Sequence, residues 1–221
     1  VEAVYKGREA TTEGIFSFLN KVCEVELEPY IESSYQELAE YVNAYDQKMI
    51  MKRENIADRG IWTAKKRYIL NVWDSEGVRY EEAKLKIMGI EAIKTSTPAP
   101  CRKMLKDAFK ILMSGTEEEC IEYIESCRKE FKSLPPEDVS FPRTASNVEK
   151  WFSSADLYGK GCPIHIRGAI LYNHWTKKKD LTHKYAAIQN GEKIKFCYLK
   201  TPNWMHENVI SFIQDFPTEL D

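Results

Sequence analysis

Between Met88 and Met104 the repeat of apolar residues changes, and this change limits what the chain can fold into. Before it, "RYILNVWD" (67–74) and "KLKIM" (84–88) alternate with a period of two, as a half-buried strand requires. After it, Met104, Leu105, Ala108, Ile111 and Leu112 recur at helical spacing. At the switch stands "TSTPAP" (95–100), where Thr97 suits an N-cap and Pro98 the first helical position. The sequence therefore predicts an α+β chain of two lobes, residues 1–95 and 96–221.

In the first lobe, Ile15, Leu19, Val22, Leu38 and Val42 mark one long amphipathic helix from Thr12 to about Tyr41, widened by Phe16, Phe18, Ile31 and Tyr35. Pro29 falls inside it and is expected to kink or split it, because proline lacks the backbone donor and crowds the preceding turn. Residues 48–56 and 61–74 read as two strands of an antiparallel hairpin joined by the turn "ADRG" (57–60). The strand at 84–88 completes a small sheet. In the second lobe, a first helix ends near Gly115. Thr116 and Glu119 have the spacing of a capping box, and Ile121, Ile124, Cys127 and Phe131 continue a second helix until Pro135 and Pro136 stop it. Residues 135–162 read as a connecting loop holding a short helix near "SNVEKWF". "PIHIRGAILYNHW" (163–175) then reads as helix and "KIKFCYLK" (193–200) as strand. The second lobe is thus mainly helical with a small β element.

At 221 residues, with 43% apolar and 30% charged side chains, the chain can bury a real core and does not fall in the disordered class. Its six cysteines are widely spaced, which suits neither a disulfide framework nor paired zinc knuckles and implies a reducing compartment. No apolar run approaches the length of a membrane span, so the expectation is a cytoplasmic protein without a membrane partner. The opening "VEAVYKGREA" lacks an initiator Met, and the expectation drawn from it is a piece of something longer.

The catalytic inventory is mostly negative. The chain has no glycine-rich phosphate loop, no GxSxG elbow, no HExxH and no aspartate pair in a strand–turn–strand. Cys162 and His165 have CxxH spacing without a second pair to complete a zinc site, so a buried thiol and a backbone-bonded histidine are the better reading. Glu117–Glu119 would complement a helix dipole, and Cys120 and Cys127 share one helical face.

The cations are more informative. From Arg59 to Lys110 there are twelve Lys and Arg against six Asp and Glu, a local excess of +6 in a chain whose net charge is −2. Such segregation suits a surface facing a polyanion, although a solvated lysine face would give the same count. Lys65, Lys66 and Arg67 lead directly into Tyr68. On a strand, Lys66 and Tyr68 would project to one face and Lys65 and Arg67 to the other, offering a cation beside an aromatic ring. A lysine reaching minor-groove acceptors, which lie at similar places in every Watson–Crick pair, holds a duplex without reading its sequence; cations on phosphates add salt-dependent affinity.

"TAKKRYILNVWD" (63–74), followed by "EEAKLKIMGIEAIKTSTP" (81–98), resembles the end of the palm and the start of the thumb in family B DNA polymerases, particularly those of myovirus-type bacteriophages. "CPIHIRGAILYN" (162–173) and "MIMKREN" (49–55) are similar to further parts of the same region. The resemblance implies that residues 1–95 are the C-terminal portion of a polymerase palm and 96–221 an incomplete thumb. It implies that this region grips primer–template DNA through Lys65, Lys66, Arg67 and Tyr68, and through a second element carrying Lys86, Gly89, Glu91 and Lys94. Arg102, Lys103 and Lys106, on the first thumb helix, would follow the duplex phosphates. The family's catalytic aspartates, nucleotide-gripping lysine and exonuclease acids have no counterpart here. The resemblance therefore implies no cofactor in this chain, Mg2+ in the missing catalytic palm, no polymerisation by the chain alone, and the remaining palm, fingers and exonuclease domains as covalent or separate partners. In a phage-encoded protein the compartment would be the bacterial cytoplasm. Two other readings stay open on sequence alone: a freestanding nucleic-acid-binding module, and a structural interaction domain.

Overall fold

A computed structural model describes residues 11–220 of the chain; the opening decapeptide lies outside the described residues. The fold is α+β, built from helices and small antiparallel sheets. Its contacts divide it into two compact units, one running to Ile61 and including Leu70–Lys86, the other comprising Trp62–Ile69 and everything from Ile87 onward.

The first unit begins with α1 (Thr12–Val22), capped by the Thr11 hydroxyl, which accepts from the Gly14 N–H at 3.1 Å. The expected break at Pro29 takes a specific form. A π turn, Cys23–Leu27, intervenes, and α2 (Glu28–Tyr41) continues directly with Pro29 in its first turn. The Glu28 N–H donates to the Cys23 carbonyl five residues back, so the ladder changes register just before the residue that has no donor. Of α1 and α2, Phe16 and Ala39 are the buried residues. The Arg79 guanidinium lies 3.2 Å from the centre of the Phe16 ring and pairs with Glu13 at 3.4 Å.

Three strands, β1 (Asn55–Ala64), β2 (Arg67–Ser75) and β3 (Val78–Met88), form one sheet in that order. Two sequence expectations are corrected here. Residues 48–54 carry no regular structure, and "ADRG" is not the turn but lies inside β1. The reason is a cross-strand bond: Asn71 Nδ2 donates to Asp58 Oδ1 at 2.8 Å, so Asp58 serves a partner strand instead of capping a loop. The two hairpin turns are Lys65–Lys66 and Glu76–Gly77. The second has φ of 52° and 86°, the left-handed pair that favours a tight β-hairpin. Below that turn, Arg53 meets the buried Asp74 at 2.6 Å, and Asp74 also accepts from the Gly77 N–H at 3.1 Å.

In the second unit, a 3-10 turn (Glu91–Ile93) precedes α3 (Ala99–Ser114) and α4 (Glu117–Ser133). The expected capping box is present in both directions: the Glu119 N–H donates to the Thr116 hydroxyl and the Thr116 N–H to the Glu119 carboxylate. For α3 the cap is Pro98, not Thr97, and no side chain caps it. After the short α5 (Pro136–Val139), the helix expected near "SNVEKWF" is α6 (Val148–Trp151), while the rest of the expected loop instead supplies β4 (Phe141–Thr144) and a two-stranded ribbon of β5 (Phe152–Ser153) and β6 (Leu157–Tyr158). Helix α7 (Ile164–Lys178), β7 (Lys193–Tyr198) and β8 (Val209–Phe212) follow. The strands pair antiparallel in the order β4-β7-β8, with Phe141 opposite Phe196 and Lys195 opposite Phe212.

This sheet and α7 enclose the core, in which Ile166, Ala169, Ile170, Ile194, Ile210 and Phe212 are buried together. Gly168 sets the approach of α7 to β8. A Cβ there would meet Ser211 Oγ at 2.4 Å and the Ser211 N at 2.8 Å, a backbone contact that cannot swing away. The Ser211 hydroxyl is in turn tied to the His165 carbonyl at 2.8 Å. The last 3-10 turn, Thr218–Leu220, is pinned by the Glu219 carboxylate, which accepts from Lys184, from the Tyr185 hydroxyl and from Thr218.

Gly168→Ala should destabilise the second unit by about 2 kcal/mol or more through overpacking, read as a lowered midpoint in urea unfolding. Arg53→Ala leaves Asp74 buried with one donor and is expected to cost about 3 kcal/mol in the first unit, measured the same way.

Candidate nucleic-acid interface

The sequence places Lys65 and Lys66 on a strand, and the structure corrects this: they form the two-residue turn between β1 and β2, and both are exposed. The alternation argument that paired Lys66 with Tyr68 on one strand face therefore fails at Lys66. That residue adopts φ +62°, outside the extended region. Arg67 opens β2 and is exposed, and Tyr68 follows it half-buried. The Thr63 hydroxyl donates to the Arg67 carbonyl at 3.4 Å across the base of the turn.

Gly89 packs directly on this tip. It has φ +68°, and a Cβ built there would stand 2.2 Å from the Lys66 carbonyl oxygen and 3.2 Å from Arg67 Cγ. Two residues on, Glu91 begins the 3-10 turn, and its carboxylate meets Lys94 Nζ at 2.7 Å. The Lys94 hydrogen bond holds the Glu91 carboxyl below the ordinary value of 4.5, assisted by its own backbone N–H and by the positive charges of Lys94 and Arg67. Residues 65–68 and 89–94, distant in sequence, are thus brought together by a backbone contact and a shared electrostatic neighbourhood. Helix α3 packs against the 3-10 turn and carries Arg102, half-buried, with Lys103 and Lys106, both exposed. These three lie at spacings that share one helical face. Among the described residues, no carboxylate forms an ion pair with Lys65, Lys66, Arg67, Arg102, Lys103 or Lys106.

Lys86 stands apart. It belongs to the first unit, where it pairs with the Glu54 carboxylate and holds that carboxyl below its ordinary value. Sequence reading also passed over Arg143, whose guanidinium donates to the Ser96 carbonyl at 3.3 Å and fastens the segment leading into α3. The two positions lie 47 residues apart, so no local pattern could have joined them.

The remaining candidates have structural surroundings. Cys162 donates to the Pro163 carbonyl at 3.6 Å and burial raises its thiol pKa. Burial lowers that of His165, with the Arg143 charge adding to it. Among the described residues, no three His, Cys, Asp or Glu side chains gather as metal ligands. All six cysteines are free thiols. Tyr123 on α4 is pushed up to about 12, first by burial and then by its bond to Cys127. Among the described residues, no helix is long and apolar enough to cross a membrane.

The fold is of the α+β class, and it sets the exposed Lys65–Lys66 turn against Gly89, with the 3-10 turn that Gly89 leads into packed on α3 and its cations. Comparison with known proteins supplies the lineage. No family model matches the chain. It is 38% identical over 220 residues to the DNA-directed DNA polymerase of Escherichia phage RB69 and 30% identical over the same length to that of Enterobacteria phage T4. Each alignment takes in 96% of this chain and 24% of the relative, so the chain spans about a quarter of the length of the curated relatives it matches. The chain is a homologue of one part of the DNA-directed DNA polymerases of T4-like phages, as the motifs at 63–74 and 81–98 implied.

The Glu91–Lys94 pair has a testable titration. The Glu91 carboxyl should titrate below 4.5, and Lys94→Ala should raise it, as followed by carboxyl-carbon NMR. A depressed carboxylate contributes stability above its unfolded pKa, and that contribution is lost as pH falls through the folded value.

Proposed function

We propose that this chain holds primer–template duplex DNA as the palm-end and thumb portion of a family B DNA-directed DNA polymerase acting in replication. The homology to phage polymerases supports the class. The observation that carries the duplex role is the exposed Lys65–Lys66 turn, which no acid neutralises among the described residues and which Gly89 backs from behind.

Each part has a physical task. Lys66 reaches minor-groove acceptors, which are common to all base pairs, so grip is independent of sequence. Lys65 and Arg67 neutralise phosphates beside it, and Lys103 and Lys106 do the same along α3, releasing condensed counterions. Tyr68 supports the primer terminus. Lys94 and Lys86 act mainly by orienting neighbours, since both ammonium groups are held by carboxylates. Phosphoryl transfer by carboxylate-bound magnesium is assigned to the remaining palm, because the described residues offer no cluster fit to hold the metal. This chain alone does not polymerise; the fingers, the rest of the palm and the exonuclease complete the enzyme.

Anisotropy of a labelled primer–template duplex tests the reading. Lys66→Ala should weaken binding by about 1–3 kcal/mol, and each lost phosphate contact should lower the slope of log affinity against log salt by about 0.9. Unchanged affinity in a folded Lys66 variant removes that residue from the interface, and a wild-type slope near zero removes the duplex role altogether.

A further inference from the structure

We infer that Gly89 is a positioning residue of the duplex grip: it touches no DNA but lets the Lys66 backbone seat against it, and that seat fixes the direction of the Lys65 and Lys66 ammonium groups. The inference rests on the duplex reading above and assigns Gly89 a role different from the direct contact that the resemblance implied.

Glycine has two separate uses, and the geometry distinguishes them here. Gly77, Gly161 and Gly191 also have positive φ, of 86°, 83° and 90°, yet a Cβ at any of them would meet nothing within 4 Å. At those sites backbone freedom alone is at stake. Gly89 adds a close approach, with the Lys66 carbonyl oxygen 2.2 Å from the place a Cβ would occupy and its carbonyl carbon at 3.3 Å. The atoms involved are backbone, so accommodation requires moving the turn itself. Lys66 carries the left-handed conformation without being glycine or asparagine, a state that its surroundings must impose. A side chain at 89 would push the Lys66 carbonyl away, release the left-handed turn and swing both lysines.

The test compares variants in primer–template binding by anisotropy across a salt series, with thermal unfolding recorded for each. Gly89→Ala should lower affinity about tenfold and reduce the salt slope by about one to two, as when the tip contacts are lost. Gly77→Ala, strained in φ but unobstructed, should bind like wild type. Gly89→Asn, which tolerates the left-handed backbone but keeps a Cβ, should fail as Ala does. In a Lys65→Ala/Lys66→Ala background, Gly89→Ala should change affinity less than twofold.

A second pair avoids position 89, should its variants unfold. Lys66→Asn and Lys66→Val both remove the ammonium, but only Asn keeps the left-handed turn comfortable. Val should therefore bind several-fold more weakly, because Lys65 is displaced as well. Wild-type binding by Gly89→Asn, a full additional loss from Gly89→Ala in the double-lysine background, or equal affinity of the Asn and Val variants overturns the positioning role. Loss of no affinity in Lys65→Ala/Lys66→Ala sinks the duplex reading instead.

Discussion

Helix α7 lies on β8 because residue 168 has no side chain. The helix meets the strand at the Ser211 backbone, closer than any Cβ would permit, and the buried faces of Ile166, Ile170, Ile210 and Phe212 close around that approach. Burial of these groups supplies the favourable free energy, but the spacing that lets them interdigitate is set by an absence. The same device recurs at Gly89, where the missing group admits a carbonyl from a hairpin turn instead of a strand. One glycine sets a core; the other sets the posture of a surface turn.

The cations divide along similar lines. In the first unit three are occupied by acids: Arg53 by Asp74, Arg79 by Glu13 with the Phe16 ring beneath it, and Lys86 by Glu54. In the second, Lys94 is held by Glu91 and Lys110 by Asp107, while Lys65, Lys66, Lys103 and Lys106 carry no ion pair among the described residues. Charge count alone did not separate these groups, since all but Arg53 contribute to the same local excess. Occupied cations contribute to stability by satisfying acids, above all where Asp74 is buried; unoccupied ones keep their full field for a polyanion and repel one another in its absence.

Much of this was legible in the sequence. Helical periodicity marked α1 and α2, α3 and α4, and α7; the Thr116/Glu119 spacing gave a capping box; and the alternation in "KLKIM" and "KIKFCY" gave strands. What escaped depended on partners far away in the chain. Strand β4 contains Pro142, which argues against a strand unless it lies at an edge, and β4 is at the edge of β4-β7-β8. Strand β8, four buried residues, is too short for periodicity to speak. "ADRG" has turn composition but is paired through Asp58, whereas the real turn is made of two lysines that no turn scale favours. The cation block was visible as composition; its placement on a tip, and Gly89 behind it, required the fold.

The three strands of the first sheet have one topological consequence. Residues 62–69 belong to the second unit, while the stretches on either side, to Ile61 and from Leu70 to Lys86, belong to the first. The polypeptide thus passes from one unit to the other three times, each time within a strand: β1 at Ile61, β2 at Ile69, β3 at Lys86. No single scission can liberate either unit whole, and neither can be transplanted as a contiguous cassette. Any exchange of segments with a related chain would have to take the two together, or break a strand to separate them.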